Sequence, residues 1–376
     1  MGNPANGKIR ICEIITSLEH SGAEKVVCDL ATRLDTRRFD VEVVGIKGGE
    51  LADWLENHGV RVHVLNIGAK REFYRVDKFL RLMHILRKGC FDIIHSHLFH
   101  ADLLGRLAKP ADAKYVYTIH VAEHRARPLQ FQFARKFQRR CDALVAVSNA
   151  VLEHHSKMSH LPPENYRVIY NGVDTQEFRF DGTARRELRA RWGIAPDVTL
   201  FAFIGRFHRE KGLDILFDAM RLANIMGRQI RVVLAGDGPL RNMVQNFMTS
   251  ETIGENVINL GFRDDIPAIL SAADVLVAPS RWEGFCLSIA EAMSVSLPVI
   301  ATKCGGPEEL VVDGQTGLLV ERENRPMLAQ AMIKLADSPN QRSCMGMAAR
   351  QRIDENFSIQ RMLEQYEELF IEMLDR

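Results

Sequence analysis

The sequence predicts an α/β protein made of two doubly wound, parallel-sheet domains that face a central cleft. Three observations predict it. Short β-branched runs alternate with longer amphipathic segments along almost the whole chain. The alternation pauses once, near the middle, and then starts again. The length of 376 residues accommodates two domains of roughly 100–200 residues each. Strands that alternate with helices pair in parallel and are covered on both faces, which is why each reads as a nearly continuous apolar run.

The elements follow in order. Lys8–Ile15 reads as the first strand and Gly22–Leu34 as the helix after it. Asp40–Gly45 and Val60–Leu65 are further strands. A helical pattern over Asp77–Lys88 precedes a strand at Phe91–His95, and strands follow at Lys114–Thr118, Ala143–Val147 and Tyr166–Ile169. Asn171–Val198 is polar and carries Gly172, Gly182, Gly193 and Pro196, so it reads as the domain connection. The second series contains strands at Thr199–Ile204, Gln229–Ala235, Val257–Leu260, Asp274–Ala278 and Pro298–Ala301. Helices at Gly212–Met226, from Pro239, and at Ile266–Ala272 lie between them. Three helical patterns close the chain, the last over Ser358–Leu374. The expected domains are 1–175 and 176–356, followed by the terminal helix 357–376.

Composition narrows the class. Hydrophobic residues make up 46% and charged residues 26%, which suits a soluble globular chain. The net charge of +1 gives no reason to expect a nucleic-acid partner. No apolar run is long enough for a membrane span, and Met1–Lys8 has no apolar signal core. The seven scattered cysteines contain no C-x-x-C pair, so a reducing cytoplasm is expected. Between residues 70 and 140, 16 Lys and Arg face 6 Asp and Glu, a local surplus of +10. That surplus suits either an anionic partner or a set of solvated helix faces.

Ligands of open α/β sheets bind beyond the carboxyl ends of the strands, so the residues there are the candidates. After the first strand, Ser21 and Glu24 have the spacing of a capping box, and Gly22 leaves room for a phosphate to approach the helix amides. His95, Ser96, His97 and His100 follow the fourth strand. No carboxylate joins them in sequence and their spacing matches no standard ligand set, so no metal is expected. His120 ends the fifth strand, where an imidazole can bond a substrate hydroxyl. In the second half, Gly205-Arg206 and Glu210-Lys211-Gly212 flank one strand-to-helix loop. Two cations beside a helix N-terminus suit a diphosphate; the weaker alternative is a surface ion pair between Glu210 and a neighbour. Gly236-Asp237-Gly238 lacks the third glycine of a dinucleotide fingerprint, which disfavours a nicotinamide enzyme. Glu283 lies in a loop before a helix and has no structural role to explain it. Ser288 with Glu291, by contrast, again has capping-box spacing.

Together these residues resemble the retaining glycosyltransferases of the GT-B fold, family 4 (glycosyltransferase group 1). Glu283 and Glu291 match its Glu-x7-Glu motif, and Gly205-Arg206 with Glu210-Lys211-Gly212 matches its diphosphate motif. Asn171-Gly172-Val173-Asp174, Ser148 and Gly305-Gly306-Pro307-Glu308 also sit where that family has them. Ser21-Gly22 departs from the family's frequent Gly-Gly. The resemblance implies that Glu283 and His120 contact the donor sugar, Glu291 the ribose, and Arg206 and Lys211 the diphosphate. It places the amides around Phe285, Cys286 and Leu287 against sugar and phosphate, the backbone at Arg263 against the base, and the terminal helix 357–376 back on the first domain.

The implied activity is transfer of a sugar from a nucleotide sugar, a UDP-sugar first of all, to a hydroxyl acceptor, with retention and without a metal or cofactor. Asp-x-Asp is absent from the chain, so no metal clamp is required by the sequence. A UDP-sugar epimerase, a phosphorylase and a silent nucleotide-sugar binder are the alternatives. Residues Arg125–Arg140 mix phenylalanine with arginine. Such a segment suits a peripheral enzyme resting on an anionic membrane and acting on a lipid-linked or growing cell-surface glycan, or else a crossover helix with an apolar face.

Overall fold

A computed structural model describes residues 7–67, 75–120, 141–250 and 253–375. The chain divides into two compact units, Met1–Gly172 with Gln360–Arg376, and Val173–Ile359. The basic aromatic segment Arg125–Arg140 lies outside the described residues.

The first unit is built on a seven-stranded sheet, ordered β3-β2-β1-β4-β5-β6-β7, with every pairing parallel. Its strands are β1 (Ile9–Ile15), β2 (Phe39–Gly45), β3 (Arg61–Val64), β4 (Ile93–His97), β5 (Lys114–Ile119), β6 (Ala143–Ala146) and β7 (Tyr166–Val168). The second unit carries six parallel strands in the order β10-β9-β8-β11-β12-β13. These are β8 (Leu200–Ile204), β9 (Arg231–Ala235), β10 (Val257–Asn259), β11 (Val275–Ala278), β12 (Val299–Thr302) and β13 (Gly317–Val320). The strand order reverses between β1 and β4 in one sheet and between β8 and β11 in the other. At such a switch point the helices that follow the two strands pass to opposite faces of the sheet and leave a crevice at the carboxyl edge.

Both sheets are doubly covered, as their apolar runs require. Val232, Leu234, Val275 and Val277 are sealed by Leu213, Leu216, Phe217 and Met332 from flanking helices. The last helix, Ile359–Leu374, buries Met362, Leu363, Tyr366, Leu369, Phe370 and Met373. These positions recur at three- and four-residue spacing, giving one continuous apolar face. Within the first unit that face meets Phe39, whose ring lies edge-on to Phe370 at 6.3 Å. It also delivers the Tyr366 hydroxyl to Thr118, at 3.1 Å.

Two sequence expectations are corrected. The fourth strand covers Ile93–His97 rather than ending at His95, so His95 and His97 lie inside the sheet. The polar triplet resembles a loop, yet its backbone pairs with Glu13–Ile15 on one side and Val116–Thr118 on the other. The expected connection, Asn171–Val198, contains the helix Gly182–Arg191. Asp181 caps it by accepting from the amides of Thr183 and Ala184, at 2.8 and 3.1 Å. Arg185 and Arg189 anchor it to Asp274, at 2.6 and 3.1 Å. A helix docked through arginines has no apolar stripe for sequence reading to find.

Candidate active site

In the second unit, the loops after β8 and β11 meet at the switch point. The chain leaves β8 through Gly205 and Arg206, makes a short 3-10 turn over Arg209–Lys211, and enters the helix Leu213–Ile225 through Gly212. Gly212 has φ +69°, and a Cβ there would stand 2.0 Å from the Pro279 carbonyl oxygen, so only glycine lets the two loops touch. Lys211 Nζ then lies 2.6 Å from Glu283 Oε1, and the Ser280 hydroxyl donates to the same oxygen at 2.7 Å. Burial alone would lower the Lys211 pKa. The charge of Glu283 outweighs it and raises the pKa, so the ammonium is firmly protonated.

The Glu283 backbone is held as well. Its carbonyl accepts from the Gly306 amide at 3.2 Å, tying the loop to the turn after β12. A Cβ on Gly306 would meet the Gly284 carbonyl oxygen at 2.4 Å, so this approach also needs glycine. Phe285 is buried and packs on Phe357, with ring centroids 5.8 Å apart. Cys286 turns the chain with φ +75° and leads into the helix Leu287–Ser294, whose first amides have no intrahelical acceptor. Burial, together with the charge of Glu283, pushes the Cys286 thiol up to about 12, so it is a neutral packing group. Glu291 is buried on the same helix. Ser288 is the second residue of that helix and not its cap, so the expected Ser288–Glu291 capping box does not form.

Arg206 is exposed, and its guanidinium makes no hydrogen bond or ion pair among the described residues. Arg263 is exposed and forks onto Asp265, at 2.7 and 2.5 Å. Arg281, which sequence reasoning passed over, bonds Asp214 at 2.8 and 2.6 Å and the Arg209 carbonyl at 2.6 Å. It thereby braces the turn that carries Lys211. Its signal, and that of Ser280, was position alone: both follow directly on the strand end that precedes Glu283.

In the first unit, Gly22 is exposed at the start of the helix Gly22–Arg33. Ser21 makes no side-chain cap bond there. Its hydroxyl instead bonds the buried Glu24 carboxyl, which also accepts from Ser17 at 3.0 Å. Burial raises the Glu24 pKa. The capping-box expectation therefore gives way to a carboxyl held by two hydroxyls. His120 follows β5 and is 8% exposed. Its Nε2 lies 2.8 Å from Nδ1 of His97.

Behind His120 stands a cluster that the sequence did not reveal. The expectation that no carboxylate joins the histidines is overturned, because Glu13 faces them from β1. Its Oε2 lies 2.6 Å from His97 Nε2, and its Oε1 lies 3.1 Å from His95 Nδ1. Nε2 of His95 reaches the Thr118 hydroxyl at 2.7 Å. Donor atoms of Glu13, His95 and His97 gather within 4.8 Å of one another, as metal-binding groups can. Their separations are nevertheless those of hydrogen bonds, and each nitrogen is engaged, so the arrangement is a bonded network. An acidic residue within the run Ile11-Cys12-Glu13-Ile14-Ile15 was the available signal.

Two doubly wound parallel sheets, each with a switch point at its carboxyl edge, define the class as the GT-B fold. HepE of Anabaena, solved with UDP-glucose, superposes with a TM-score of 0.86 at 24% identity, covering 98% of this chain and 99% of that one. The model of glycosyl transferases group 1 matches residues 184–352, and that of glycosyltransferase family 4 matches 20–177. The chain belongs to glycosyltransferase family 4 and is a nucleotide-sugar glycosyltransferase. The UDP-Gal:alpha-D-GlcNAc-diphosphoundecaprenol alpha-1,3-galactosyltransferase of Escherichia coli is 27% identical over 98% of both chains. The D-inositol 3-phosphate glycosyltransferase of Corynebacterium aurimucosum is 32% identical over 69% of this chain and 66% of its own.

Proposed function

We propose that the protein is a retaining, metal-independent hexosyltransferase that moves a sugar from a UDP-sugar to a hydroxyl of a lipid-linked or growing cell-surface glycan. The observation that carries this reading is the Lys211–Glu283 pair, fixed at 2.6 Å at the β8/β11 switch point, with Lys211 on the same loop as Arg206, whose guanidinium has no partner among the described residues. Breaking the bond from the anomeric carbon to phosphate leaves positive charge on the sugar and negative charge on the diphosphate. Arg206 and Lys211 supply fixed positive charge for the leaving group, and Glu283 supplies a carboxylate for the sugar. The amides from Phe285 to Leu287 and the carboxylate of Glu291 complete the donor side, with the backbone at Arg263 serving the base. For the first unit, the family resemblance assigns His120 to the sugar and Gly22 to phosphate. The anomeric carbon then bonds the acceptor oxygen, whose proton is released.

A calorimetric screen of nucleotides and nucleotide sugars tests the donor half. UDP and a UDP-sugar are expected to bind, and Arg206→Ala is expected to weaken both by about 10–100-fold, the worth of a charge-assisted bond. Equal affinity for all nucleotides, or an unaffected R206A variant, would sink the assignment. The lipid-linked acceptor is supported by the named substrate of the Escherichia coli relative and by the cationic composition of residues 70–140. The reading is of a cytoplasmic, peripheral enzyme, supported by the scattered cysteines and the cationic surplus; no helix of the described residues is long and apolar enough to cross a membrane. Co-sedimentation with anionic liposomes at low salt, lost at high salt, is the expected result. No binding at low salt would favour a soluble acceptor.

A further inference from the structure

The proposed chemistry uses His120 but none of the three groups behind it. Glu13, His95 and His97 are completely buried, on the two strands that flank the switch point of the first sheet. Burial alone would raise the Glu13 carboxyl. The charge of His95 and the hydrogen bonds of both histidines override that and hold it at about 2. An ionised carboxylate has only lone pairs to offer, so it accepts from both imidazoles. At 2.6 Å from Glu13, Nε2 of His97 therefore carries a proton. Burial, aided by His95, lowers His97 to about 4, so its ring is neutral and its Nδ1 keeps a lone pair. The 2.8 Å contact between that Nδ1 and Nε2 of His120 needs one proton, and only His120 can supply it. His120 is likewise kept neutral by burial. Its second nitrogen, Nδ1, is then a bare acceptor, with no hydrogen-bond partner among the described residues.

We propose that Glu13 and His97 are positioning residues that lock His120 in its Nε2–H tautomer, so that Nδ1 accepts a hydrogen bond from a hydroxyl of the donor sugar. The inference rests on the reading of His120 as a donor-sugar contact and adds its chemical selectivity. A hydroxyl can donate to Nδ1. A carboxylate cannot, so a neutral hexose is favoured over a uronate. The chain of three bonds runs from a charge that is buried and fixed, so substrate binding need not reorganise it.

Glu13→Gln is the diagnostic variant. Its amide nitrogen can donate to His97 Nε2, which moves the His97 proton to Nδ1. His120 must then accept at Nε2 and protonate Nδ1, turning the acceptor into a donor. The primary measurement is long-range ¹H–¹⁵N correlation of the histidine rings in the full chain near neutral pH, with His120 assigned by its loss in His120→Gln. The expected wild-type signature is Nε2–H for His120, converted towards Nδ1–H in E13Q. An Nδ1–H tautomer in the wild-type protein overturns the proposal, whether or not E13Q folds.

The second measurement compares UDP-galactose with UDP. In E13Q the affinity advantage of UDP-galactose over UDP should fall about tenfold, with UDP itself within about twofold of wild type. Wild-type UDP-glucuronate should bind more weakly than UDP-galactose by a similar factor. An unchanged UDP-galactose advantage in E13Q, or equal binding of the uronate, also overturns the proposal. If H120Q alone leaves that advantage unchanged, the donor-sugar role of His120 fails, whereas the tautomer result still reports on the relay itself.

Discussion

At the scale of single residues, the second unit holds its candidate site as an ion pair that no core packing requires. Glu283 and Lys211 are half-buried and bonded to each other, and neither fills a core cavity. Glu283→Ala and Lys211→Ala should each lower turnover by about 10²–10³-fold, the range found when one transition-state electrostatic contact is removed. Circular dichroism and melting should stay close to wild type, because no apolar volume is lost. Near wild-type turnover in either variant would remove these residues from the site. Cys286 invites a reactive role from its place in the loop. Its burial and its neighbouring carboxylate make it an inert thiol.

At the scale of elements, short loops are disciplined by their neighbours. The turn bearing Lys211 is pinned below by Gly212 against Pro279 and from the side by Arg281 on Asp214. The helix Gly182–Arg191 shows the same economy. Arg189 is 5% exposed, and its guanidinium serves Asp274 and the carbonyls of Ala272, Ala195 and Val198. Arg189→Ala should therefore destabilise the second unit by about 3 kcal/mol, since it orphans several buried acceptors. Chemical denaturation checks this, and a change below about 0.5 kcal/mol would mean that water replaces the guanidinium. Arg189→Lys should recover little, because one ammonium cannot span the same fork.

At the scale of the whole molecule, acid should unfold the first unit early. Burial lowers His97 to about 4, and it lowers His155 to about 4 with help from Arg106. A histidine whose folded pKa is depressed contributes stability above its unfolded pKa, near 6.5, and loses it as pH falls towards the folded value. Glu13, held at about 2, adds a second loss below its unfolded value near 4.5. Melting temperature should therefore drop by roughly 5 °C or more between pH 7 and pH 4.5, and a flat profile would contradict the buried neutral histidines. A second expectation at this scale concerns catalysis. Transfer should survive a strong chelator, because Arg206 and Lys211 can neutralise the diphosphate without a divalent ion. Loss of activity on chelation, restored by added magnesium or manganese, would count against it.

The alternation of apolar runs with amphipathic segments, its single pause and the chain's length determined the α/β two-domain fold class. Buried parallel strands must be apolar on both faces, so their runs stand out, and β1, β8 and β11 were legible to within a residue or two. The candidate loop residues Arg206, Lys211 and Glu283 stood out for the complementary reason: charge placed at a strand end serves no core. Tertiary structure decided the rest. Glu13 and His97 are 84 positions apart, and no local pattern says that parallel pairing of β1 with β4 will bring them to 2.6 Å. The helix Gly182–Arg191 escaped because arginines dock it, so its burial left no apolar period. Ser21 and Ser288 both had capping-box spacing and neither caps. The helix at Ser288 starts one residue earlier, at Leu287, and Ser21 sits at the N-cap position but turns its hydroxyl to the buried Glu24 carboxyl; packing sets both outcomes, and local spacing does not.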